Sequence, residues 1–167
     1  MAALETEKSQ ASLLSDVLQS AVSDVARDQE LHERDVGGAL CARSTDSSMR
    51  FVEGQTVNLD LRAEAGAGGA AGLVGHVCAA AAARGKPVVT VHEDSLEADD
   101  NEARSPSESE PRWAIAVPIF AADNCPIWVL YLEGRGERRD AEQLESSVGS
   151  LLYYREVLEL LLKSKAE

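Results

Sequence analysis

Three cysteines and three histidines are the side chains in this 167-residue chain whose types could carry nucleophilic or metal chemistry. A catalytic thiol needs a base or a second thiol held beside it, and a structural zinc needs four ligands converging on one point. Cys41, Cys78 and Cys125 are widely separated, as are His32, His76 and His92. His76 and Cys78 come nearest to a ligand pair, but two residues apart on a helix they face different directions. Asp99-Asp100-Asn101-Glu102 lacks the glycine and spacing of a calcium loop. No Ser/His/Asp or Cys/His set has the ordered partners of nucleophilic catalysis. Cys41 and Cys78 therefore read as small buried residues and Cys125 as a turn thiol, all reduced. No catalytic residue, metal ligand or cofactor is expected. Gly66-Ala67-Gly68-Gly69-Ala70-Ala71 imitates a dinucleotide fingerprint, with Glu93 where a ribose-binding acid would sit. No further βαβ unit follows, so the run reads as a Gly/Ala-rich link. Ser105-Pro106, Ser107 and Ser109 are of a type that accepts phosphate, within a segment that reads as solvated linker.

The whole-chain balance limits the partners. A formal net charge of −13 repels phosphate backbones and anionic lipid, which excludes nucleic acid as an expected partner. No apolar run approaches the roughly 18 to 20 residues of a membrane span, and the N-terminus has neither the basic start nor the apolar core of a secretory signal. A cytoplasmic protein is the expectation, with the length of a single domain over 1–167.

The elements that would position any site follow from periodicity. In the segment 9–34, Leu13, Leu14, Val17, Leu18, Ala21, Val22 and Val25 form an apolar stripe on one side of a helix, with Gly37 and Gly38 as its stop signal. Ala39–Arg43, Met49–Glu53 and Thr56–Leu61 read as strands. A Gly-opened, Ala-rich helix spans Gly72–Arg84 and ends at Gly85-Lys86-Pro87. A short strand covers Pro87–His92, followed by an acidic segment that cannot bury enough apolar surface to order itself. Two strands follow, Arg112–Ala121 and Pro126–Glu133. In the first, Trp113, Ile115, Val117 and Ile119 face one way and Ala114, Ala116 and Pro118 the other. In the second, Trp128, Leu130 and Leu132 oppose Ile127, Val129 and Tyr131. Both faces of this hairpin are apolar and must be covered, and the small Ala114 and Ala116 invite a helix close to their side. Pro118 requires a bulge or a free edge. The last helix, 140–163, is apolar over so much of its circumference that it needs a second neighbour.

Gly72-Leu-Val-Gly75-His-Val77, Gly85-Lys-Pro87-Val-Val, Ala114-Ile-Ala-Val-Pro118-Ile and Ile127-Trp-Val-Leu-Tyr-Leu-Glu133, in that order and spacing, resemble the successive signatures of GAF domains. The resemblance implies an α+β fold with a central antiparallel sheet of about six strands across 37–134, the terminal helices packed together on one face and a ligand pocket on the other. It also implies a homodimer joined through those helices. The Asn-Lys…Phe…Asp-Glu motif of cyclic-nucleotide-binding members is absent. The acidic segment also offers Glu93, Asp94 and Glu97 where a phosphate wants donors. Bilin carriers need a cysteine in a setting that none of the three occupies. In the free methionine-R-sulfoxide reductase relatives, a characteristic cysteine lies where this chain has Val74.

The expectation is a non-catalytic regulatory or dimerisation domain of a signalling or assembly protein, its pocket empty or filled by its own side chains. The alternatives are a sensor of a small ligand such as a cyclic nucleotide, and a thiol-dependent reductase of the sulfoxide type. Trp113, Trp128 and Tyr131 are the candidate pocket residues. Leu14, Leu18, Leu151 and Leu158 are the candidate interface residues.

Overall fold

The computed structural model describes residues 2–43, 49–59, 72–91, 113–120, 128–135 and 140–166. The apolar stripe of the N-terminal segment forms helix α1 (Ala2–Asp28), and a 3-10 turn (Glu33–Asp35) leads into strand β1 (Val36–Arg43). Strand β2 (Met49–Val57), helix α2 (Gly72–Arg84), strands β3 (Val88–Val91), β4 (Trp113–Ile119) and β5 (Trp128–Gly134), and helix α3 (Ala141–Ala166) follow. The sheet is antiparallel in the order β2-β1-β5-β4-β3. This is the α+β, GAF-like architecture expected, with five strands among the described residues. Met49–Glu53 and Thr56–Leu61 read as two strands in the sequence. Met49–Val57 is instead one strand, which ends before Asn58 turns into the left-handed region at φ 53°. The Asn58 side-chain amide holds that exit by donating to the Glu33 and Val36 carbonyl oxygens, at 2.9 and 3.2 Å.

The sheet is covered on both faces. On one, α1 and α3 lie over Val36, Leu40, Trp113, Ile115, Val117, Ile119, Leu130 and Leu132, all buried. The two helices run antiparallel, because Gln10 Nε2 donates to the Leu161 carbonyl at 2.8 Å near one end while Asp28 accepts from Ser146 and Ser147 hydroxyls at 2.7 Å near the other. Buried Gln29 adds bonds to the Gln143 carbonyl and the Ser147 hydroxyl, so the polar groups trapped between the helices are partnered rather than stranded. At the start of α3, Gln143 Oε1 accepts from the Asp140 amide at 2.8 Å, one half of a capping box. On the opposite face α2 seats Val77, Cys78, Ala81 and Ala82 on Ala39, Cys41, Ala114, Ala116, Val129 and Tyr131. Small residues in both layers let the helix approach closely.

Two details depart from the sequence reading. Helix α1 ends at Asp28, not near 34. Leu31 N bonds to the Ala26 carbonyl, and Glu30 takes the left-handed cap conformation at φ 57°. Gly37 and Gly38 are strand residues rather than the helix stop. A Cβ on Gly38 would stand 2.9 Å from Val22 and 3.2 Å from Leu18, so this glycine admits α1 to the sheet. The β3–β4 pairing stops at Val88 with Ala116, so among the described residues Pro118 is paired on one side only, with Val129 of β5. The acidic segment, the Gly/Ala-rich link, Cys125 and His92 lie outside the described residues.

Candidate functional site

Strand β5 is central, and its α2-facing side chains are Val129, Tyr131 and Glu133. In register beside Tyr131 stand Ala39 on β1 and Ala116 on β4; beside Glu133 stand Gly37 and Ala114. The largest and most polar side chains on this face are thus flanked on both sides by the smallest ones. Tyr131 and Glu133 therefore stand up between small neighbours, and α2 packs over Tyr131. Glu133 is 3% exposed. Its Oε1 accepts from the Tyr131 hydroxyl at 3.3 Å, and its Oε2 lies 3.7 Å from Arg135 Nε. Burial pushes the Glu133 carboxyl above the usual carboxylate range, opposed by the Arg135 charge and by the tyrosine hydrogen bond. A carboxylate held dry in this way attracts a cationic or N–H-bearing group and disfavours a phosphate.

The same face brings two sulfurs together. Cys78 on α2 and Cys41 on β1 are both buried, with Sγ atoms 3.6 Å apart. The sequence reading placed each correctly as a small buried residue but missed the pairing. A strand residue and a helix residue this far apart in sequence meet only through the packing of α2 on the sheet, and no local spacing encodes that. Glu133 was also missed as a site residue. Its signal was the one acid in an otherwise apolar strand, Ile127 to Leu132.

The three aromatic candidates are divided between the two faces. Tyr131 is on the α2 face. Trp113 is buried beneath the helix pair, and half-buried Trp128 packs on that same side. Trp113 lies directly over Gly134, its register partner, where a Cβ would come within 2.0 Å of the indole. Its N–H finds no acceptor among the described residues. The four leucine candidates Leu14, Leu18, Leu151 and Leu158 are buried in one contiguous core between the helix pair and the sheet. The apolar circumference of α3 is satisfied largely by its own sheet and by α1. Leu13, Tyr153 and Leu160 remain outside, at 47, 64 and 71% exposure.

Among the described residues no group of three or more His, Cys, Asp or Glu side chains is placed to hold a metal ion, and no helix is long and apolar enough to cross a membrane. No protein-family model matches the chain, and no curated protein matches it. Solved structures do. A domain assigned to a two-component sensor histidine kinase protein from Sinorhizobium meliloti 1021 superimposes with a TM-score of 0.54 at 12% identity, over 89% of this chain and 90% of that one. The free methionine-R-sulfoxide reductase of Neisseria meningitidis, in complex with its substrate, gives 0.47 at 19% identity over 95 and 87%. The cyanobacteriochrome receptor PixJ gives 0.46 at 12% over 92 and 97%. The first of these supports the fold; the other two, at such scores, carry nothing about activity.

Proposed function

We propose that the chain is a GAF-family regulatory domain without catalytic activity, which self-associates through the outer surface of its terminal helices. The face opposite those helices is closed by its own side chains. The observation that carries the reading is the contrast between the two surfaces. On the α2 side, Tyr131, Glu133, Cys78 and Ala81 are buried by the chain itself. On the helix-pair side, large apolar groups stay in water. Tyr153 and Leu160 are seven residues apart, hence on one face of α3, and Leu13 on α1 belongs to the same end of the pair, because Gln10 reaches Leu161. A second copy presenting the same surface about a two-fold axis would cover all three.

Sedimentation of the wild type across micromolar concentrations and of a Tyr153→Glu/Leu160→Glu double variant tests this. The expected result is a wild-type dimer and a monomeric variant that melts cooperatively, at the temperature of wild type diluted to the monomer. A wild type that is monomeric throughout would overturn the self-association.

A second reading is a small-ligand sensor, favoured by the Glu133 carboxylate and Tyr131 hydroxyl paired on the α2 face. The ligand would then carry an ammonium, guanidinium or amide N–H rather than the phosphate of a cyclic nucleotide. Native mass spectrometry of the protein purified from cells distinguishes the two. A bound mass lost in Glu133→Gln would establish the sensor, and bare protein of the expected mass favours the closed face.

A further inference from the structure

We propose that Cys41 and Cys78 are a hydroperoxide-sensitive pair that closes to a reversible intrachain disulfide, fastening α2 to the sheet. The sulfurs are 3.6 Å apart on two separate elements, with reduced thiols facing each other across the α2–sheet contact. A disulfide needs about 2.05 Å between sulfurs, so closure asks for a displacement of an ångström or two rather than a refolding.

The layers around the pair can give that much. The buried residues of α2 next to Cys78 are Val77, Ala81 and Ala82, short side chains that surrender little contact when the helix lifts. Strand β1 cannot move in the same way, because it is hydrogen-bonded to β2 on one side and β5 on the other. Lifting of α2 therefore delivers Cys78 to solvent while Cys41 stays in place, which sets the order of the chemistry. The Cys78 thiolate attacks one peroxide oxygen. The O–O bond breaks, the other oxygen leaves as hydroxide and takes up a proton, and Cys78 becomes a sulfenic acid. When the helix reseats, the Cys41 sulfur attacks the Cys78 sulfur, the S–O bond breaks, and water departs with the Cys41 proton. In sum two thiols lose two electrons and two protons, and one hydrogen peroxide becomes two waters. The product ties α2 down over Tyr131.

The test uses the full chain, as wild type and as Cys125→Ser so that the third thiol cannot interfere. After treatment with hydrogen peroxide and alkylation, both should yield a cross-linked Cys41–Cys78 peptide from protein of monomer mass lighter by about 2 Da. The melting temperature should rise by roughly 5 to 15 °C, and dithiothreitol should reverse both changes. In Cys41→Ala, Cys78 should instead stop as a sulfenic acid that dimedone traps, with no gain in melting temperature. The proposal is overturned if neither cysteine reacts until denaturant is added. It is equally overturned if Cys78 proceeds to sulfinic acid in the wild type without cross-linking, or if the only cross-link formed involves Cys125.

Discussion

At the scale of single residues, the costs are concentrated on β5. Glu133 is a carboxylate whose burial favours the neutral form, so its folded-state pKa lies above the unfolded value of about 4.3. Its contribution to stability is complete below that value and is lost as pH rises through the raised folded pKa. A Glu133→Gln variant should accordingly match the wild type near pH 4 and exceed it in melting temperature at pH 7.5; parallel pH curves for the two proteins would refute the assignment. One position along, Gly134 is required for space rather than for backbone freedom, because the Trp113 ring occupies the volume a Cβ would need. Gly134→Ala should lower stability by about 1–3 kcal/mol or more, as overpacking a closed core does, measured by urea denaturation. The sequence showed both residues but not their relation. Alternation set Tyr131 and Trp128 on opposite faces of one strand, as found, yet grouping the three aromatics into one pocket ignored that same alternation.

At the scale of elements, the strands and helices with strong periodicity were legible to within a few residues: α2, β4, β5 and α3 lie close to where their patterns put them. The failures have local causes. The cap of α1 uses Glu30 in a conformation normally given to glycine, so the real stop carried no signature while Gly37-Gly38 carried a false one. Strand β2 was split at Gly54-Gln55, between the two stretches read as strands; in the structure β1 holds the register on both sides of an irregularity between Ala39 and Cys41. Between the helices, Tyr154 donates to Asp24, and burial, followed by that carboxylate, pushes the phenol up to about 12. The unfolded chain gives up this proton near pH 10, so the stabilisation is intact below pH 10 and drains away between there and about 12. Tyr154→Phe should flatten that alkaline slope; denaturation midpoints at pH 9 and near pH 12 would check it. Asp28 works at the acid end, where the Ser147 and Ser146 hydroxyls hold its carboxyl below the ordinary value.

At the scale of the molecule, the covering of the sheet on both faces was legible from the apolar faces of 113–134, and so was the need for a second neighbour beside the last helix, a place that α1 takes. What could not be read was which leucines meet that neighbour. A stripe says that a face is buried, and the fold decides against what. Leu14, Leu18, Leu151 and Leu158 satisfy one another and the sheet. Leu151→Ala should therefore cost about 2–5 kcal/mol of folding free energy whatever the oligomeric state, a loss that would show in calorimetry on dilute protein. The Tyr153→Glu/Leu160→Glu variant should leave that free energy nearly untouched. A Leu151→Ala protein that merely dissociated without losing stability would return the leucines to the interface.

The placement of β5 between β1 and β4, with α3 completing the cover, also dictates a schedule. During synthesis, β1 and β2 can pair early, but the centre of the sheet is missing until 128–134 has emerged, and its apolar roof waits for 141–166. The contacts that close the core are among the most distant in the chain, Val36 with Gly134 and Gln10 with Leu161. Contacts of such span fold slowly and leave oily surface open in the interim. A nascent chain halted before Asp140 would thus expose Ile115, Val117, Leu130 and Leu132, and holdase chaperones should engage it there and release it once the final helix arrives.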